Sequence, residues 1–110
     1  MGEPAIAQRM LSGASQVNDA QVADCSRLGV FQTTHTIKWD TPVTTGTVVI
    51  EAADDVAYAG TWALLQTVTF SGTAPKQDVV KVDGSYPALR HRVTAPVLDG
   101  SVTSRIDAST

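Results

Sequence analysis

Short runs of alternating apolar and polar residues, each ended by turn residues, fill most of the chain after residue 28. In GVFQTTHTIKW, His35, Ile37 and Trp39 share one parity, and Asp40-Thr41-Pro42 ends the run, since proline cannot continue a central ladder. TGTVVIEAA sets Val48, Ile50 and Ala52 against Val49 and Glu51. TWALLQTVTF puts Trp62, Leu64 and Val68 on one side and Leu65, Thr67 and Thr69 on the other. QDVVKVD, ALRHRVTAPV and SVTSRID continue the pattern. In ALRHRVTAPV, Leu89, His91 and Val93 alternate with Arg90, Arg92 and Thr94. A period of two with β-branched residues predicts strands. Asp83-Gly84 and Asp99-Gly100 are turn dipeptides, and the second predicts a hairpin joining Val93 to Val102.

No convincing long helix interrupts these runs. Each half-polar strand needs a partner layer over its apolar face. The expected fold is all-β: an antiparallel β-sandwich or small barrel of about 6–8 strands. Trp62, Ile50, Leu89, Val93, Val102 and Ile106 are the expected core.

Residues 1–26 read differently. They are rich in Ala, Gln and Ser, and Ile6, Met10 and Leu11 have loose helical spacing before Gly13 breaks it. The expectation is an extended or short-helical N-terminal arm (1–26) ahead of a sandwich domain (27–110). Pro4, Ile6, Met10 and Leu11 are its candidate assembly contacts, and the arm is expected to be dispensable for folding.

Composition narrows the function. The 110 residues suit one domain, with 43% hydrophobic and only 17% charged residues. A formal charge of −3 lacks the basic footprint of a nucleic-acid binder. No apolar run reaches the length of a membrane span, and MGEPAIAQRML lacks the pattern of a signal peptide. Cys25 is the single cysteine, so no internal disulfide forms, which fits synthesis in a reducing cytoplasm. Its bland reading is a small buried thiol.

Four constellations could carry chemistry. Asp54-Asp55, with Glu51 and Asp40 as helpers, could hold Ca²⁺, but adjacent aspartates in a connection read more simply as a turn. His35 and His91 lack the local ligand cluster that zinc needs, and His91 reads as a core or interface histidine. Ser, His and Asp all occur, yet no G-x-S-x-G elbow does. Trp39, Tyr58 and Tyr86, with Trp62, could form a sugar-stacking platform, although Trp62 reads better as core. No enzyme activity, metal or cofactor is expected.

One pattern goes further. A GTVVIE strand, a short acidic loop and a W-x-x-L strand are followed by LRHRVT and a Gly-led last strand. Gly46, Val48, Ile50, Glu51, Asp54, Trp62, Leu65, Leu89, Arg90, Arg92, Val93, Thr94 and Gly100 carry it. It resembles small β-sandwich structural proteins of tailed bacteriophages and prophages, over residues 46–107. The resemblance implies a virion component made in the bacterial host cytoplasm. Its first form is a capsid decoration or cement protein on the head shell, and its alternatives are a neck, tail or fibre module. It further implies other virion proteins as partners, such as the major capsid or tail proteins, and a homo-oligomer such as a trimer. Nucleic acid and membrane are not expected partners. The rival from another class is a carbohydrate-binding module.

Overall fold

The computed structural model describes residues 4–25 and 32–109. Eight strands follow in order: β1 (Pro4–Arg9), β2 (Ala20–Asp24), β3 (Gln32–Trp39), β4 (Thr45–Ala53), β5 (Ala63–Thr69), β6 (Lys76–Asp83), β7 (Ala88–Leu98) and β8 (Val102–Ser109). They form two four-stranded antiparallel sheets, β1-β8-β3-β6 and β2-β7-β4-β5. The fold is the all-β sandwich that the alternation predicts.

Successive strands mostly change sheet, and only β4 and β5 are consecutive neighbours within one. The expected hairpin at Asp99-Gly100 is therefore overturned. Its turn carries the chain from β7 in one sheet to β8 in the other. Asp99 takes a left-handed φ of 67°, a conformation aspartate tolerates better than most residues. The Asp83-Gly84 turn crosses between sheets in the same way, with Gly84 at φ 110°.

The inward residues of both sheets meet in two apolar clusters. One gathers Leu11, Ile37, Trp39, Val48, Phe70, Val93 and Val102 among others. The second holds Met10, Ala23, Cys25, Ala52, Leu89 and Ile106. All six expected core residues are buried. The two tryptophans, however, exchange roles. Trp39 fills the space between the sheets, fully buried, edge-on to Phe70 with ring centroids 5.5 Å apart. Gly46 on β4 leaves room for it: a Cβ there would stand 3.0 Å from the Trp39 ring and 2.9 Å from Val97 Cγ2. Trp62 precedes β5 and lies over the outer face of the second sheet, with the Arg90 guanidinium 4.4 Å above its ring.

A bulge explains a second departure. Gln66 pairs with Ile50, but Leu64 pairs with Glu51, so Leu65 is the extra residue. The shift reverses the facing of what precedes it. Leu65 turns inward, and Leu64 is left 60% exposed instead of sharing the face of Val68. A strict period of two cannot anticipate that reversal.

The largest correction concerns the N-terminal segment. The stretch read as an arm, so far as it is described (4–25), belongs to the sandwich. β1 pairs with β8 and β2 pairs with β7. Between them the chain crosses one side of the molecule and keeps bonding. The Met10 N–H donates to the Ser104 carbonyl, Ala14 and Val102 exchange N–H···O bonds, Val97 N–H donates to Ser15 and Asn18 N–H to Val93. Met10 and Leu11 are 3% and 2% exposed, Ile6 is half-buried against the second cluster, and the Pro4 backbone pairs with Ser109. Met10 and Leu11, placed in the core, are not free to serve as the assembly contacts expected of them. Residues 1–3 and 26 of the expected arm lie outside the described residues.

Removing residues 1–25 should therefore unfold the protein rather than free a stable sandwich. The deletion strips Met10, Leu11, Ala14, Ala23 and Cys25 from the core and leaves β7 and β8 as raw edges. Two large buried side chains alone are worth about 4–6 kcal/mol, a large part of ordinary domain stability. Circular dichroism and urea melts of the truncated chain, compared with full length, check this.

Candidate functional site

Histidine is the first residue type to place, because it is the most versatile at neutral pH. His35 lies on β3 and His91 on β7, so they approach from opposite sheets. Both are fully buried, and His35 Nδ1 stands 2.7 Å from His91 Nε2. The chain continues both ways. Thr33 Oγ1 is 2.7 Å from His35 Nε2, and Ser104 Oγ is 2.8 Å from His91 Nδ1 and accepts the Leu11 N–H at 3.0 Å. Thr33 and Ser104 are each 2% exposed. Every link needs one proton, which two neutral imidazoles and two hydroxyls supply.

Two protonated imidazoles would set N–H against N–H at the central link. Burial also disfavours any charge there. It lowers the His35 pKa to about 4. Burial, then repulsion from His35, lowers His91 to about 3. Both rings are thus held neutral as a hydrogen-bonded strut between the sheets. No group of three or more His, Cys, Asp or Glu side chains converges to hold a metal among the described residues.

Asp55 and Glu51 are committed to structure. Asp54 and Asp55 begin the β4–β5 connection, where Asp55 Oδ1 accepts the Ala57 N–H at 2.8 Å and its carbonyl accepts the Tyr58 N–H at 3.1 Å. This is the turn that the sequence suggests. Glu51, only 4% exposed on the outer face of its sheet, takes hydrogen bonds from two arginines. Arg90 Nη2 and Nε reach Oε1 at 2.8 and 2.9 Å, and Arg92 Nη2 reaches Oε2 at 3.0 Å. Burial alone would raise the Glu51 carboxyl, but the Arg92 and Arg90 bonds outweigh it and hold the group below the usual carboxylate range. Trp62 covers Arg90, and its indole N–H donates to the Tyr58 carbonyl at 3.0 Å. LRHRVT thus alternates inward histidine with outward arginines. Four of the residues that carry the resemblance, Glu51, Trp62, Arg90 and Arg92, meet in one ion-paired patch.

Cys25 is 4% exposed. Burial, then the Asp24 charge, pushes its thiol up, the opposite of an activated nucleophile. The glycan platform does not assemble as drawn. Trp39 is fully buried with its indole N–H on Asp78 Oδ2 at 2.7 Å, Tyr86 packs half-buried against the second cluster, and only Tyr58 is exposed.

What remains exposed and unspent is an edge. The N-terminal crossing seals one side of the sandwich. On the other side stand the edge strands β5 and β6. Leu64 and Val79 are 60% and 57% exposed there, with Val56 and Tyr58 exposed on the preceding connection. From Val56 to Pro75 the chain has no charged residue. This signal lies in the spacing of charge, which apolar periodicity does not register.

The histidine strut carries a definite pH dependence. The folded pKa values lie below the ordinary value near 6.5, so the unfolded chain binds more protons as pH falls. Stability should be full above about pH 7 and fall below it, by about 2 kcal/mol for each histidine at pH 5. Urea melts from pH 8 to pH 5 measure it, and a His35→Leu/His91→Met double variant should flatten the curve. Glu51→Gln should cost about 2–4 kcal/mol in the same melts at pH 7, because two arginines lose their shared anion.

No protein-family model matches this chain, and no curated protein matches it in sequence.

Proposed function

We propose that the protein is a non-enzymatic structural component of a tailed-phage virion, a decoration or cement protein that binds the head shell as a homo-oligomer. The observation that carries this reading is the open side of the sandwich. Two edge strands, β5 and β6, lie beside one another with exposed Leu64 and Val79, while the opposite side is sealed by the chain's own N-terminal segment. Exposed edges are where strands recruit other protein. A shell protein needs little more than such a surface on a rigid body, since weak contacts repeated on a lattice gain from high effective concentration. The internal use of the histidines, Glu51 and Asp55 is consistent with a role in holding rather than transforming. The resemblance of the sequence pattern to phage sandwich proteins is what suggests the virion context. A neck, tail or fibre position would use the same side of the molecule.

The test is attachment. Purified protein added to particles of the phage whose genome encodes it should cosediment with heads. A Leu64→Asp/Val79→Asp variant should keep its thermal melt yet attach roughly tenfold more weakly, as expected when exposed apolar anchors are lost. Wild-type protein that stays in the supernatant with heads, necks and tails alike would sink the proposal.

A further inference from the structure

The four sheet edges are not alike. β1 opens with Pro4 and carries Arg9. β2 has five residues and ends in Asp24. β6 carries Lys76, Asp78, Lys81 and Asp83 within eight residues. Short length, proline and charge are the devices by which proteins keep edges from pairing. β5, ALLQTVT, has neither proline nor charge, and none occurs in the flanking residues 56–62 and 70–74. In a chain with 17% charged residues, that gap falls on the one edge where it leaves pairing unopposed.

The Leu65 bulge interrupts only the first half of β5. From Gln66 to Thr69 the strand is regular against β4, with Gln66, Thr67 and Thr69 exposed and Val68 inward. These four uncharged residues, three of them exposed, present the backbone of an edge strand with no charged side chain on it.

We propose that this edge is occupied by β5 of a second copy, paired antiparallel about a twofold axis near Thr67. The inference rests on the assembly reading above and names the copy-to-copy contact within it. The partner follows by comparison of the edges. Any other edge of this chain would bring Pro4, Asp24 or the β6 charges against β5. Two copies of β5 bring only alanine, leucine, glutamine, threonine and valine together. An antiparallel self-pair is isologous and closes after two copies, so it ends as a dimer and not a fibre. The two second sheets join into one eight-stranded sheet, and the exposed Leu64 of each protomer lies beside the seam.

Single-cysteine crosslinking tests it, because the native Cys25 is buried. Residues opposite one another across an antiparallel pair lie about 4.5–5.5 Å apart at Cα, within disulfide reach. Cysteines placed in turn at Gln66, Thr67 and Thr69 should give a disulfide dimer in at least one variant, while Gln77→Cys on β6 and Ala7→Cys on β1 should not. Light scattering should give twice the monomer mass for wild type. Thr67→Lys, and Thr69→Lys as a second variant, should return monomers with unchanged circular dichroism. A monomeric wild type, or crosslinks favouring β6 or β1, overturns the inference. Cosedimentation with particles is read separately: a monomer that still attaches defeats this pairing and leaves the virion role standing, whereas a dimer that never attaches does the reverse.

Discussion

The hydrogen bond between His35 and His91 fixes how one sheet sits on the other. Apolar packing is non-directional and would accept several alignments of two pleated layers. A buried imidazole does not. Sliding β3 and β8 over β7 by one residue would break the His35–His91 and His91–Ser104 links and strand three ring nitrogens and the Ser104 hydroxyl proton in a dry interior. Each unpaired group costs about 1–3 kcal/mol. The strut lies near the boundary of the two apolar clusters, where His91 pairs with Ile50 and His35 with Ile106. It works as a polar dowel between two greasy pools. Its tie to the Leu11 N–H through Ser104 extends the alignment to the N-terminal crossing.

That crossing gives the molecule two unlike sides. Where residues 10–19 pass from β8 to β7, the backbone groups of both strands find partners and the core is closed by Leu11 and Ala14. Nothing equivalent spans β5 and β6 among the described residues. Only the β5–β6 connection, with Phe70 under Lys76, bridges that side. A sandwich needs its edges covered, and this one covers half of them with its own chain. Within the uncovered half β5 carries no charge, while β6 carries four.

Much of this fold was legible in the sequence, because alternation reports which side of a strand faces the other layer. Val48 and Ile50, Leu89 and Val93, and Val102 and Ile106 all point where their parity sends them. Four things were not legible, each for a physical reason. The Leu65 bulge breaks the period without any residue type that announces it. Asp99-Gly100 marks a turn but not whether the strands it joins share a sheet, since a turn fixes local backbone and not which neighbour supplies hydrogen bonds. Residues 4–25 looked like an arm because β1 and β2 are short and interrupted by Gly13 and the Asn18 turn. Their strand character comes from β7 and β8, which offer open edges to pair with. The histidines were placed inward by parity, but their meeting across the sheets depends on how the layers align.

The resemblance gains a physical reading from where its residues fall. Val48, Ile50, Leu89 and Val93 are the inward side of β4 and β7, and Glu51, Arg90 and Arg92 are the outward side of the same two strands. A central strand pair with an apolar inner face needs some way to keep its outer face from becoming a second sticky surface. Glutamate gripped by two arginines, with a tryptophan laid over one of them, meets that need, because the charges neutralise one another while their polar rims stay wet. The outer face of the other sheet mixes charges of both signs with threonines: Thr36 lies between Arg105 and Val79, and Thr34 between Asp107 and Lys81, with Arg105 ion-paired to Asp107. Both broad faces are thereby kept largely polar, except beside the β5 and β6 edges, where Leu64 and Val79 stand exposed. What these charges leave bare is the rim, and of its four edge strands only β5 is uncharged.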